Sequence, residues 1–210
     1  MTSILIAGAS GLVGRYVLAQ ALADDRIDRV VAPGRRALAH HPKLVNPVLD
    51  MSQLPAQAPW WGVDSVVCTL GTTRANAGSD AAFRAVDLDL QLAIARHTHA
   101  HGARRFALTS SMGADPSSRL LYLRTKGELE QELGRLEWQS LTIVRPGPIL
   151  GQREQARAGE VLTAAALKIL APLLPKRHRG NRAQDIAAAL LTAAIDGAPG
   201  HHILSPAHIG

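Results

Sequence analysis

The sequence predicts an α/β fold: a doubly wound parallel sheet with helices on both faces and a small C-terminal lobe. Three observations carry that reading. Apolar strand-like runs alternate with stretches of helical periodicity along most of the 210 residues. The first run passes directly into a glycine-rich turn and then a helix. Each cluster of chemically useful residues falls where a strand run ends, the edge of a parallel sheet at which ligands sit.

The elements follow in order. Residues 3–7 (SILIA) form a short apolar strand, GASGLVG a turn, and residues 15–23 a helix. A second strand covers 29–36, and a third covers 44–50, where Pro47 places it near a sheet edge or makes its start irregular. Further strands are expected at 65–70, 105–111 and 141–145, separated by helices at 80–101 and 120–136. After the Pro/Gly-rich loop PGPILGQRE, helices are expected at 160–170 and 183–195, with HHILSPA as a closing strand. Residues 1–150 are thus read as a dinucleotide-binding domain and 151–210 as a short substrate-side lobe packed into the same domain.

Composition narrows the function classes. With 47% hydrophobic and 19% charged residues the chain can bury a sizeable core. Aromatics are only 3%, so no base-stacking surface is expected and nucleic acid is not a predicted partner. No apolar run is long enough to span a membrane, and MTSILIAGASG has neither a basic leader region nor a small-residue cleavage site, which predicts a soluble cytoplasmic protein without membrane contact. Cys68 is the single cysteine, so an intramolecular disulfide and a Cys-rich zinc site are both excluded; the run SVVCTL makes it a buried strand residue. The net charge of +6 comes from 23 basic and 17 acidic residues, with the arginines scattered; only KRHRGNR at 176–182 is locally basic, and it reads as a solvated loop.

Gly8, Gly11 and Gly14 space a Gly-x-x-Gly-x-x-Gly turn between the first strand and helix. Such glycines let backbone approach a pyrophosphate at a helix N-terminus, so this turn, with Ser10, Leu12 and Val13, is the expected dinucleotide cradle. At the end of the second strand, where an NAD site usually places an acidic residue, stand Gly34, Arg35 and Arg36. Two guanidinium forks suit a 2′-phosphate, so NADP(H) is the expected cofactor. Asp50 closes the third strand as either an adenine-amino acceptor or a helix cap. Leu70, Gly71, Thr72 and Thr73 close the fourth, where small residues let backbone lie along a ribose.

Tyr122 and Lys126 stand four apart in LLYLRTKGELEQEL, on one helical face. An ammonium one turn away favours the phenolate and makes the tyrosine a reversible proton donor. Ser110 and Ser111 end the fifth strand; a hydroxyl there can hydrogen-bond a substrate carbonyl and stabilise charge on its oxygen. Successive strand residues face opposite sides, so one of the two serves the site, and the sequence leaves open which.

These residues resemble the atypical short-chain dehydrogenases/reductases, and within them the Tat-interacting-protein-like branch. The resemblance rests on GASGLVGRYV, GRR at 34–36, CTLGTTR at 68–74, SSMGADPSSRLLYLRTKGELE and RPGPILGQRE, and covers most of the chain. It implies a Rossmann-type fold binding NADPH, a triad of serine, Tyr122 and Lys126 in which Lys126 also touches the nicotinamide ribose, and a Pro-Gly turn at Pro146 leading the chain past the nicotinamide. Two features depart from the wider pattern. Asp87 stands where many short-chain dehydrogenases carry an asparagine that organises a proton-relay water, and the C-terminal lobe is short for a sugar-nucleotide epimerase.

Three functions are open at this level: NADPH-dependent reduction of a small carbonyl substrate, a cofactor-binding regulator with a protein partner, and an epimerase or dehydratase using transient oxidation. Oligomeric state is not legible. No metal is expected. His97, His99 and His101 in RHTHAH read as a solvated helix end, where histidine suits the helix dipole. Asp185 reads as a cap or dipole partner of the last helix.

Overall fold

The computed structural model describes residues 2–150 and 180–209. Among these, seven strands form one parallel sheet in the order β3-β2-β1-β4-β5-β6-β9: β1 Thr2–Ala7, β2 Ile27–Val31, β3 Leu44–Val45, β4 Ser65–Cys68, β5 Arg105–Thr109, β6 Ser140–Val144 and β9 Gly200–Leu204. A separate parallel pair joins β7 Ile149–Leu150 to β8 Asn181–Arg182. This is the Rossmann-type doubly wound sheet.

The period-two alternation of each strand feeds two cores. Ile4, Ile6, Val30, Val67, Ala107 and Val144 bury one side against helices α1 (Gly14–Ala23) and α6 (Ala183–Asp196). Leu5, Val31, Val66, Cys68, Leu108 and Ile143 bury the other, against helices α4 (Leu90–Ala100) and α5 (Leu121–Gly134). At about 1.5–3 kcal/mol for each fully buried Val, Leu or Ile side chain, these layers dominate the favourable side of folding. The returning part of the C-terminal segment is built into this framework: β9 pairs with β6, and α6 packs beside α1. The helix expected at 160–170 lies outside the described residues, as do 151–154 of the expected loop and 176–179 of the basic stretch; the described ends of these two segments are not loops, since Ile149–Leu150 and Asn181–Arg182 pair as β7 and β8.

Several boundaries differ from the sequence expectation. β2 ends at Val31 because Pro33 has no N–H for a ladder. The third strand is two residues long. Beyond it the Asn46 side chain takes over, accepting from the Leu38 N–H at 2.8 Å and donating to the Ala32 carbonyl at 2.6 Å. The helix expected over 80–101 is broken by a π-helical turn, Ala85–Asp89, between α3 (Asp80–Arg84) and α4; such turns recur at functional sites. A further short helix, α2, spans Arg74–Ala77. β5 stops at Thr109, so both serines lie past the last strand residue.

Strand order reverses at β1, which lies between β2 and β4. The crevice beyond the carboxyl ends of β1 and β4 is where such folds take a ligand.

Candidate active site

The turn after β1 is as tight as its glycines suggest. Gly8 has φ +89°, and a Cβ on Gly14 would lie 2.0 Å from the Gly8 carbonyl oxygen, so only glycine fits there. The Gly11 N–H donates to that carbonyl at 2.9 Å, and the Thr69 hydroxyl donates to the carbonyls of Ala7 at 3.1 Å and Gly8 at 3.2 Å. Val13 occupies the cap position of α1, makes no side-chain capping bond and turns its side chain into the core. No side chain therefore blocks the helix N-terminus, and no acidic residue in its first turn repels a phosphate. Ser10 and Gly11 are exposed and Leu12 is half-buried at this end. A cradle that a Cβ would fill, at an uncapped helix, fits a pyrophosphate.

From Gly8 the crevice runs past Leu70 to the loop after β2, lined there by Pro33, Arg35, Arg36, Asn46 and Met51. Arg35 and Arg36 are exposed, and among the described residues neither makes an ion pair. Their loop is held by the two Asn46 bonds, by the Gly34 N–H to Pro47 carbonyl bond at 3.0 Å and by that of the Leu49 N–H to Gly34 carbonyl at 3.0 Å. Asp50 does not close a strand. It forms an Asx turn, accepting from the Ser52 N–H at 2.9 Å and hydroxyl at 2.8 Å, which together hold its carboxyl below the usual carboxylate range; its neighbour Met51 lines the crevice instead.

At the other end, Lys126 and Asp87 form a buried ion pair, Nζ to Oδ1 2.9 Å, with side chains 4% and 1% exposed. Burial pushes the Lys126 ammonium down, but the attraction of Asp87 and then Tyr122 outweighs it, so its pKa lies above the ordinary lysine value. The second Asp87 oxygen accepts from the Thr72 N–H at 2.7 Å, tying the loop after β4, through the Asp87–Lys126 pair, to α5. A Cβ on Gly71 would lie 3.4 Å from Asp87 and 3.9 Å from Nζ, so this loop passes directly over the pair. Buried Gln91 holds the same loop by donating to the Leu70 carbonyl at 3.3 Å, while accepting from the Cys68 thiol at 3.3 Å; burial pushes that thiol up to about 11.

Tyr122 is 44% exposed, its ring 6.2 Å from that of Phe83, and it opens onto an apolar pocket completed by Thr73, Arg74 and Leu121. The two serines separate clearly. Ser110 is buried and donates its hydroxyl to Glu130, whereas Ser111 is half-buried and its hydroxyl donates to the Met112 carbonyl at 3.3 Å. The Met112 N–H donates to the Pro146 carbonyl at 3.0 Å, which joins the serine loop to the Pro-Gly turn.

Asp87 was legible in the sequence as a departure; its pairing with Lys126 was not. Asn46, Gln91, Glu130 and Arg145 carry no motif, and each shows its role only through a partner distant in sequence. The histidines do not form a solvated end: His97 stacks on buried Trp61 at 4.7 Å, and His99 meets the edge of Trp138 at 4.8 Å. Among the described residues no cluster could hold a metal ion, and no helix is long and apolar enough to cross a membrane. Asp185 lies in the first turn of α6, where its charge suits the dipole, while Arg182 occupies the cap position without a side-chain bond.

Among nucleotide-binding α/β folds, a Tyr-x-x-x-Lys helix set against a serine loop in this way belongs to the short-chain dehydrogenases/reductases, here of the atypical kind. More narrowly, the chain is a member of the HIM1 family, whose family model matches residues 47–175. It is 40% identical to Protein HTATIP2 of Rattus norvegicus over 165 residues, 76% of this chain and 68% of that protein. It is 36% identical to Protein FMP52, mitochondrial, of Eremothecium gossypii over 157 residues, 74% of this chain and 70% of that one. The solved structure of MoeE5 in complex with UDP-glucose and NAD shares the fold with a TM-score of 0.74 at 16% identity, covering 96% of this chain and 75% of its own. The expectation of a cytoplasmic protein is corrected by these relatives: FMP52 proteins from several fungi are named mitochondrial, so an N-terminus without leader features is no guide to compartment here.

Proposed function

We propose that this protein reduces a small carbonyl compound with NADPH, Tyr122 being the proton donor. The observation that carries this reading is the buried Asp87–Lys126 pair, which holds an ammonium one helical turn from a half-exposed phenol, beside a cradle shaped for a dinucleotide. The nicotinamide, when bound, supplies hydride to the carbonyl carbon. Tyr122 gives its phenolic proton to the carbonyl oxygen, and Ser111 donates a hydrogen bond to that oxygen as charge builds on it. Lys126, kept charged by Asp87, stabilises the tyrosinate until solvent returns the proton. The apolar pocket beside Tyr122 receives the substrate. A mitochondrial setting, taken from the FMP52 names, replaces the cytoplasmic one.

Stopped-flow oxidation of NADPH over a panel of aldehydes, ketones and quinones tests the reaction. Tyr122→Phe should lower the rate about 10²-fold or more with any substrate the wild type turns over, the usual contribution of a positioned proton donor. An unchanged rate would remove Tyr122 from the mechanism. Stoichiometric NADPH consumption per product separates reduction from an epimerase cycle, in which the cofactor is regenerated. NADPH binding unaccompanied by turnover across the panel would favour the cofactor-binding regulator.

NADP(H) is proposed over NAD(H) because Arg35 and Arg36 place two guanidinium groups on the crevice, neither ion-paired among the described residues. A charge-assisted phosphate bond is worth about 1.5–3 kcal/mol, so Arg35→Ala or Arg36→Ala should weaken NADPH roughly ten- to a hundredfold in calorimetry and leave NADH nearly unchanged. Equal losses for both cofactors would mean loop damage, and no loss in either variant would return the preference to NAD(H).

A further inference from the structure

Glu130 is a buried carboxylate that the reaction above does not use. It stands one helical turn beyond Lys126 and two beyond Tyr122, on the same face of α5. Its oxygens collect contacts from two other elements. The Ser110 hydroxyl donates to it from the loop after β5, and the Arg145 guanidinium donates from the end of β6, Nε lying 3.1 and 3.2 Å from the two oxygens. The Glu130 side chain is 7% exposed and that of Arg145 29%.

A buried ion pair is a poor way to gain stability, because desolvation offsets most of its Coulombic gain and apolar residues of similar volume often serve as well. What it provides is geometry. A carboxylate that accepts from two fixed donors permits one arrangement of the three elements, while apolar side chains would tolerate sliding. Those elements are the ones that meet at the nicotinamide end of the site. Ser110 is fixed with its backbone N–H on the Val144 carbonyl at 2.8 Å; the next residue is Ser111, and Met112 bonds Pro146. Arg145 immediately precedes that proline, and the turn is held from beyond by the Gly147 N–H to Asn181 Oδ1 bond at 3.0 Å.

We infer that Glu130 is a positioning residue. By gripping Ser110 and Arg145 it locks the serine loop and the Pro146–Gly147 turn to the helix that carries Tyr122 and Lys126, so the nicotinamide half of the site is built before any ligand arrives. Ser110 thereby has a structural task, and its neighbour Ser111 is left for the substrate. The adenosine half, shaped by Gly8, Gly14, Asn46 and the Arg35–Arg36 loop, does not depend on this grip. The inference rests on the proposed dinucleotide site.

The test compares two ligands of the full-length chain by calorimetry: the whole dinucleotide the wild type binds more tightly, NADP⁺ or NAD⁺, and its adenosine half alone, adenosine 2′,5′-bisphosphate or AMP. Glu130→Leu should weaken the whole dinucleotide about tenfold, some 1.4 kcal/mol, and change the adenosine half by less than about twofold. Ser110→Ala, a small change that leaves the Glu130–Arg145 pair in place and keeps the variant foldable, should show the same selectivity at about threefold. Glu130→Gln, which keeps an acceptor for Ser110, should fall between wild type and Glu130→Leu. Equal weakening of both ligands would reduce Glu130 to a general stabiliser and overturn the inference, as would unchanged binding of both. A wild type that binds neither dinucleotide would instead overturn the cofactor reading, and this inference with it.

Discussion

Lys126→Met is expected to cost about 3–5 kcal/mol of folding stability, because it leaves the Asp87 carboxylate buried without its counter-ion. Asp87→Asn alone is also expected to destabilise, since it strands the buried ammonium. The double variant should be close to the better of the two singles: an asparagine at 87 carries no charge, and its oxygen still accepts from the Thr72 N–H. Urea denaturation of the four proteins should therefore give a coupling about equal to the larger single loss, roughly 3–5 kcal/mol, at or above the upper end of what contacting residues show. Additive losses would mean that the two side chains do not act as a pair. A pH signature accompanies this. The Lys126 pKa is raised in the folded protein, so the pair's contribution is fully present below the ordinary lysine value of 10.5 and is lost as pH rises through the folded value. The stability difference between wild type and Lys126→Met should accordingly narrow at strongly alkaline pH, as the Lys126 ammonium is lost.

The second large effect lies one residue further along the same helix. A Cβ on Gly127 would stand 2.3 Å from the Asp115 carbonyl carbon and 2.3 Å from the Pro116 nitrogen, so the loop that follows the serines rests directly on the backbone of α5. Both obstructing atoms are main chain, and no side chain can swing aside. Helix propensity alone favours alanine over glycine by about 1 kcal/mol, whereas overpacking costs roughly 1–3 kcal/mol or more; against backbone the upper end applies. Gly127→Ala should thus be net destabilising by about 2 kcal/mol, lowering Tm by roughly 4–8 °C in a chain of this size. Gly134→Ala provides the control, because nothing lies within 4 Å of its added Cβ; that variant should be neutral or slightly stabilising. If Gly127→Ala behaved like Gly134→Ala, the loop would not be seated on the helix as described.

Which parts of this site could be read from the sequence follows from how each part is specified. The turn at Gly8–Gly14 and the Tyr122–Lys126 pair are local: their meaning lies in spacing along one turn or one helix, and spacing is what a sequence displays. The different surroundings of Ser110 and Ser111 were not legible, because the partner that buries the Ser110 hydroxyl, Glu130, lies twenty residues away on another element. The third strand was read as too long. The ladder breaks at Pro47, which has no N–H to offer the Ala32 carbonyl; the Asn46 side chain donates there instead, and pairing resumes only as a single bridge between Val48 and Gly34. The helical periodicity of 80–101 gave no warning of the π turn at Ala85–Asp89, since one extra residue in a turn barely alters an apolar pattern. Its Asp87 is drawn to Lys126 and to the Thr72 N–H, partners outside its own helix. The histidines were misread because Trp61 and Trp138, which cover them, come from segments with no periodic signal of their own.

The pairing of α1 with α6 has a consequence for how the chain reaches its native state. The two helices cover one face of the sheet together, and Arg26, just past α1, bridges to Asp196 at the end of α6 across 170 residues of sequence. Contacts of such separation form late, since the entropy of closing so large a loop must be overcome before they contribute. During synthesis, Val17 and Ala21 on α1 and Ile4, Ile6 and Val30 beneath them would await a covering helix until residues 183–196 had emerged. This half of the sheet is therefore the part of the nascent protein most in need of a chaperone, and a ribosome stalled before residue 183 would present it as an adhesive surface.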